Sequence, residues 1–153
     1  MELPVLPVPL RYWSGIRAGL YQALDQITDE QLTFSPAAGL WSLGQVALHI
    51  AAAEEGWFRY IITRELNDWP EDFPPEKFHT VAAVTDLLQQ THGRTEAYLA
   101  SIDYEELERV IEAPWEAKFP VRWAIWHVLE HEIHHRGEIF IILGMLGKEA
   151  PDV

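Results

Sequence analysis

The chain has 153 residues, 48% of them hydrophobic, with a mean hydropathy near zero, which fits one folded, soluble domain (1–153) large enough to bury a substantial core. Its formal net charge is −13 with a sequence pI near 4.8, so nucleic acid and anionic membrane surfaces would be repelled over most of the surface, and neither is expected as a partner. There is no cysteine, which excludes disulfides, thiolate metal sites and cysteine nucleophiles; any metal must be held by His and carboxylates.

In chain order, the N-terminal MELPVLPVPL lacks a basic segment and is broken by three prolines, so no secretory signal is expected. No run of about 18 uncharged apolar residues follows either, and the cytoplasm is the expected compartment. Trp13, Ile16, Leu20, Leu24 and Ile27, spaced by three and four, predict a first helix over 10–27. Thr28-Asp29-Glu30-Gln31 is a capping-box pattern that opens a further short turn. Ser42, with Gln45 three residues on, predicts a second helix running to about Leu66, with Leu43, Val46, Ile50, Trp57, Phe58 and Ile61 as its apolar stripe.

The proline-rich NDWPEDFPPEKF reads as a loop to a third helix capped by Thr80 and carrying Val81, Val84, Leu87, Leu88 and Leu99. Asp103 with Glu106 suggests a short helix, and VIEAPWEAKFP a loop or brief extended piece. Pro120 suits the first position of a fourth helix that reaches about Leu146, before Gly147. The expectation is an all-α four-helix bundle with long connections after the second and third helices.

The fourth helix carries HVLEHEIHHRGEIF. With roughly 100° per residue and His127 as origin, His131 falls at about 40°, His135 at about 80° and His134 about 20° to the other side. Apolar residues, among them Ile125, Trp126, Leu129, Ile133 and Ile139, cover much of the remainder and suggest a largely buried helix. A lone histidine is usually a hydrogen-bonded structural residue; several on one face, with i, i+4 spacing, favour a metal. A third ligand is needed, and the second helix offers His49, in line with Ala53, Gly56 and Tyr60, two of them small enough to leave room for an ion.

His131-Glu132-Ile133-His134-His135 also matches the H-E-x-x-H of zinc proteases. The extended form of that motif wants Gly and His where Glu138 and Ile141 stand, and the other form wants a downstream Glu on a helix, with only 18 residues left. No sheet is visible to hold a peptide. A di-iron bundle fails as well, because Trp57 and Phe58 stand where a second E-x-x-H needs His.

The segments WSLGQVALHIAAAEEGWF and HVLEHEIHHRGEI together resemble the DinB-like superfamily of four-helix-bundle metalloproteins, which includes YfiT-like proteins and bacterial low-molecular-weight-thiol transferases. The resemblance implies a divalent ion, zinc or nickel, between helices two and four, on the same His49, His131 and His135 that the angular placement selects. It also implies a homodimer, a small-molecule substrate and, in the transferase branch, a low-molecular-weight thiol as cofactor. The family usually shows Gln where this chain has Glu138.

Three neutral imidazoles leave an open coordination position, as in catalytic zinc sites, where bound water or thiol ionises near neutral pH. A metal-dependent thiol transferase or hydrolase is one expectation; a metal- or ligand-binding bundle without turnover is the alternative. Glu132, about 60° beyond His135, is open as a base or a solvent-facing residue. Arg136 suggests a structural ion pair, Trp57 and Tyr60 either pocket or core, and His127 and His134 supporting or interface positions. His79 and His92 carry no expectation.

Overall fold

In the computed structural model, which describes residues 8–153, the first predicted helix forms as two pieces, α1 (Val8–Arg11) and α2 (Trp13–Leu24), parted at Tyr12. Residues 1–7, part of the stretch in which no secretory signal was expected, lie outside the described residues. Trp13, Leu20 and Leu24 are buried along α2 as their spacing requires. The Thr28 capping box forms, with Thr28 Oγ1 accepting from the Gln31 amide and Gln31 Oε1 accepting from the Thr28 amide, and opens a 3₁₀ turn over Asp29–Thr33.

α3 (Leu43–Glu55) starts from the second capping box, Ser42 with Gln45. A Cβ at Gly44 would lie 3.0 Å from the Leu32 carbonyl oxygen, so the glycine lets this helix start close against the 3₁₀ turn. The helix does not continue as α to Leu66. It widens into a π-helix over Gly56–Ile62, in which the Thr63 amide donates to the Phe58 carbonyl five residues back, at 2.8 Å. At the junction the Trp69 ring of the proline-rich loop lies directly on the backbone: a Cβ on Gly56 would meet it at 2.4 Å. The space beside Gly56, expected to serve an ion, is filled by tryptophan.

α4 (Val81–Ser101) is capped by Thr80 and α5 (Tyr104–Glu108) by Asp103, both as predicted. The brief extended piece is an antiparallel hairpin of β1 (Val110–Glu112) and β2 (Lys118–Pro120), with Ile111 opposite Phe119. Pro120, expected at the first position of the fourth helix, is instead the N-cap of α6 (Val121–Met145), which starts one residue later. The helix ends at Gly147, whose φ of +73° lets the Lys148 amide reach back to the Leu143 carbonyl.

α2 packs on α4 and α6, and α3 packs on the same two helices, so α2 and α3, consecutive long helices in the chain, stand diagonally across an all-α four-helix bundle. Among the described residues no helix is long and apolar enough to cross a membrane. The core is divided. One apolar cluster includes Leu20, Leu24, Leu43, Ile50, Leu88 and Ile139; the other includes Trp13, Phe58, Ile61, Leu99, Ile125 and Leu129.

At mid-height between the clusters lie buried Arg17, Glu54, His92 and Glu132. Arg17 donates from Nε to Glu132 Oε1 (2.8 Å) and from Nη2 to Glu54 Oε2 (2.6 Å) and Glu132 Oε2 (2.9 Å). Trp13 Nε1 donates to Glu132 Oε2, and His92 Nδ1 pairs with Glu54 Oε1 at 2.8 Å. One guanidinium thus ties α2 to α3 and α6 across the bundle. Losing one partner of such a group strands a buried charge, which costs about 3–5 kcal/mol.

α6 is not buried all round. Val121, Val128 and Ile139, at about 120°, 100° and 120° from His127, centre its buried face. Trp126 and Ile133 are exposed on the opposite side. Glu132, at about 140°, therefore points into the core and not toward solvent; it is 1% exposed, held there by Arg17 and Trp13.

Candidate metal centre

The same angular count places the histidine seam at the edge of the buried face of α6, where that helix meets α3. The structure brings His49, from the middle of α3, against His131 and His135, one turn apart on α6: one ring nitrogen from each lies within 4.8 Å of the others. His49 Nε2 and His131 Nε2 are 3.0 Å apart. Ring centroids are 4.8 Å apart for His49 with either partner and 4.4 Å for His131 with His135.

Burial and then the charges of neighbouring histidines push His131 down to about 3, and burial with His135 lowers His49 as well. Near neutral pH both rings therefore offer lone pairs and carry no extra proton. His135 Nδ1 lies 2.7 Å from Glu138 Oε2, an arrangement in which the ring donates to the carboxylate and leaves Nε2 for the cluster. This is the usual support for a metal-bound imidazole. At Zn–N lengths of about 2.0–2.1 Å, tetrahedral ligand nitrogens stand about 3.3 Å apart, close to the 3.0 Å between His49 and His131 Nε2, and the third nitrogen lies within 4.8 Å of both.

Around the three histidines, Trp41 stacks obliquely on His49 (4.6 Å) and His135 (6.1 Å). The same ring lines a cavity of about 430 Å³ whose walls also include Leu40, Val46, Glu138 and Ile141. His127 leaves the group one turn earlier and packs on Trp57 and Trp123. His134 is exposed and faces Glu138 at 3.5 Å. Tyr60 packs on Trp69. Arg136 makes no ion pair among the described residues; it donates to the Ile16 carbonyl and lies over Phe140. His79 sits on the surface against the Glu76 carbonyl, whereas His92 belongs to the buried network.

Glu132 is unavailable as a base beside the histidines, because both its oxygens accept from Arg17 and Trp13 inside the core. Burial alone would raise the Glu54 carboxyl, but Arg17 and His92 outweigh it and hold that group below the usual carboxylate range. Two contributors escape sequence reasoning: Trp41, whose adjacency to the Ser42 cap gives no hint of the ring's direction, and Arg17. The only trace of Arg17 in the sequence is a charge inside an otherwise apolar helix face.

A family model, the DinB superfamily, matches residues 12–139. The uncharacterized protein YrdA of Bacillus subtilis strain 168 is 20% identical over 147 residues, covering 94% of this chain and 84% of that protein. A DinB-like protein from Bacillus cereus ATCC 10987 superposes with a TM-score of 0.81 at 22% identity, over 100% of this chain and 99% of that one. YfiT from Bacillus subtilis, described as a probable metal-dependent hydrolase with an unusual four-helix bundle topology, gives 0.74 at 23% identity, over 92% of this chain and 87% of its own.

Proposed function

The chain belongs to the DinB superfamily, and from that premise we propose that it is a metal-dependent enzyme whose single divalent ion, zinc or nickel, is held by His49, His131 and His135. The observation that carries this is the convergence of three imidazoles on one point of the α3–α6 seam, with His135 oriented from behind by Glu138. An ion so held supplies an open position at which a water or a low-molecular-weight thiol loses its proton near neutral pH.

The chain's own residues do the rest. His49 and His131 stay neutral near pH 7 and so compete little with the ion for protons. Glu138 fixes the tautomer of His135, and Trp41 shields one side of the histidines from solvent. Glu132 takes no part in proton transfer; the proton acceptors beside the three histidines are Glu138, 2.7 Å from His135 Nδ1, and His134, whose ring lies 4.8 Å from that of His135. The description of YfiT as a probable metal-dependent hydrolase supports hydrolysis; the resemblance to a superfamily that includes thiol transferases supports transfer of a thiol to a small electrophile.

The test is a screen of the metal-reconstituted protein on small esters and amides, and on bacillithiol, mycothiol or glutathione with a generic electrophile. Turnover that needs the metal and disappears in His49→Ala is expected. Metal bound by the three histidines without turnover on either set would mean a metal-binding bundle, not an enzyme.

A further inference from the structure

One turn before His131 on α6, the π-helix, the hairpin and the start of α6 enclose a second concavity of about 720 Å³, walled by Trp57, Trp115, Phe119, Trp123 and His127. Trp123 and His127 are stacked, with planes 6° apart and centroids 5.1 Å apart, and Phe119 lies 4.6 Å from Trp123. Trp57 stands across them, 4.8 Å from His127 and 5.8 Å from Trp115. Trp115 and Trp123 remain 52% and 43% exposed. Grouped aromatic surface left in water at the mouth of a cavity marks a binding site more often than a defect of packing.

The chemistry of the wall selects the ligand. The wall is built of tryptophan, phenylalanine and imidazole rings with centroids 4.6–6.1 Å apart, and the two charged residues on its rim are Lys118 and Arg122. Neither is free to recruit an ionic ligand, because Lys118 Nζ is paired with Glu112 and Arg122 Nε with Glu108. What fits is a flat, uncharged aromatic ring stacked or set edge-on against tryptophan.

His127 joins this wall to the histidine seam, since four residues of helix advance about 6 Å. We infer that the pocket binds the aryl portion of an uncharged small-molecule substrate and directs its reactive end toward His49, His131 and His135. The direction of the reactive end rests on the proposed function; the binding of the ring does not.

The experiment titrates the full-length protein with 2-naphthylmethanol, followed by calorimetry and by ligand-observed NMR, with its fully saturated decalin analogue as control. Saturable binding is expected, about fivefold or more tighter than the saturated analogue and weakened about tenfold in Trp115→Leu and Trp123→Leu. Trp115→Phe keeps a ring and should stay within about threefold of the parent, which separates loss of stacking from loss of fold. His49→Ala should keep the affinity, so a failure of the metal assignment leaves the ring site standing. Absence of binding, equal affinity for the saturated analogue, or unchanged affinity in both Leu variants would overturn the inference. So would a dimer that Trp115→Leu splits into monomers, which would assign these rings to contact between copies.

Discussion

His131 and Glu132 leave the same turn of α6 about 100° apart, and they enter environments that differ in how their polar atoms are answered. Glu132 enters a closed set: both its oxygens, and all the Arg17 and Trp13 donors around them, are matched within the core. His131 enters an open one, where its Nε2 meets another imidazole nitrogen and no acidic partner, and where burial and like neighbours favour the neutral ring. A matched buried network holds helices together. Two imidazoles bonded only to each other, beside a third, can turn their lone pairs to an added cation. The teaching is that burial of charge alone does not mark a site; convergence of metal-ligating side chains does.

The sharpest way to break this contrast is to truncate the two neighbours separately. Glu132→Ala leaves buried Arg17 with Glu54 as its one carboxylate partner and Trp13 Nε1 without its acceptor, and should lower stability by about 3–5 kcal/mol in urea or thermal unfolding. His131→Ala in chelator-treated protein should change stability by less than about 1 kcal/mol. Equal losses would erase the distinction. Next in size, Glu138→Ala should weaken metal binding about 10–100-fold in competition with a chromophoric chelator while unfolding is unchanged, because it only orients His135. Glu138→Gln, which keeps an acceptor, should lose less.

The network also has its own acid sensitivity. Glu54 is held below its ordinary value of 4.5, so the stability it adds is complete above that pH and is lost as pH falls through its lower folded value. In metal-free protein, unfolding midpoints measured from pH 7 downward should begin to fall below about pH 6.5 in the parent, because His131 stays neutral in the fold; His131→Ala should lose that part and keep the drop below about pH 4.5. The drop should be reduced in Glu54→Gln. At the small end, Glu112→Ala removes the exposed partner of Lys118 and should cost no more than about 1 kcal/mol, with metal binding untouched. Pairing in water contributes little; pairing in the core holds the bundle.

The helices, both capping boxes and the His131–His135 pair were legible because each rests on local periodicity, Ser42 with Gln45, Thr28 with Gln31, and His131 with His135 at one helical turn, whereas His49 came from the need for a third ligand and from the family resemblance. The direction of Glu132 was not, because the phase of a helix within a bundle is fixed by its partners, and its partner Arg17 lies 115 residues away. The π-helix at Gly56 escaped for a similar reason: Trp69, from a loop thirteen positions on, presses on that junction. The diagonal placement of α2 and α3 is a matter of long-range packing that no helix pattern encodes.

The most direct measurement is the metal content of the purified protein, reconstituted with zinc and then with nickel, beside His49→Ala, His131→Ala, His135→Ala and a folded core control, Glu54→Gln. One equivalent per chain is expected in the parent and in Glu54→Gln, falling to a small fraction in each histidine variant. Full metal retention in His49→Ala and His131→Ala, or equal loss in Glu54→Gln, would contradict a metal centre on the α3–α6 seam.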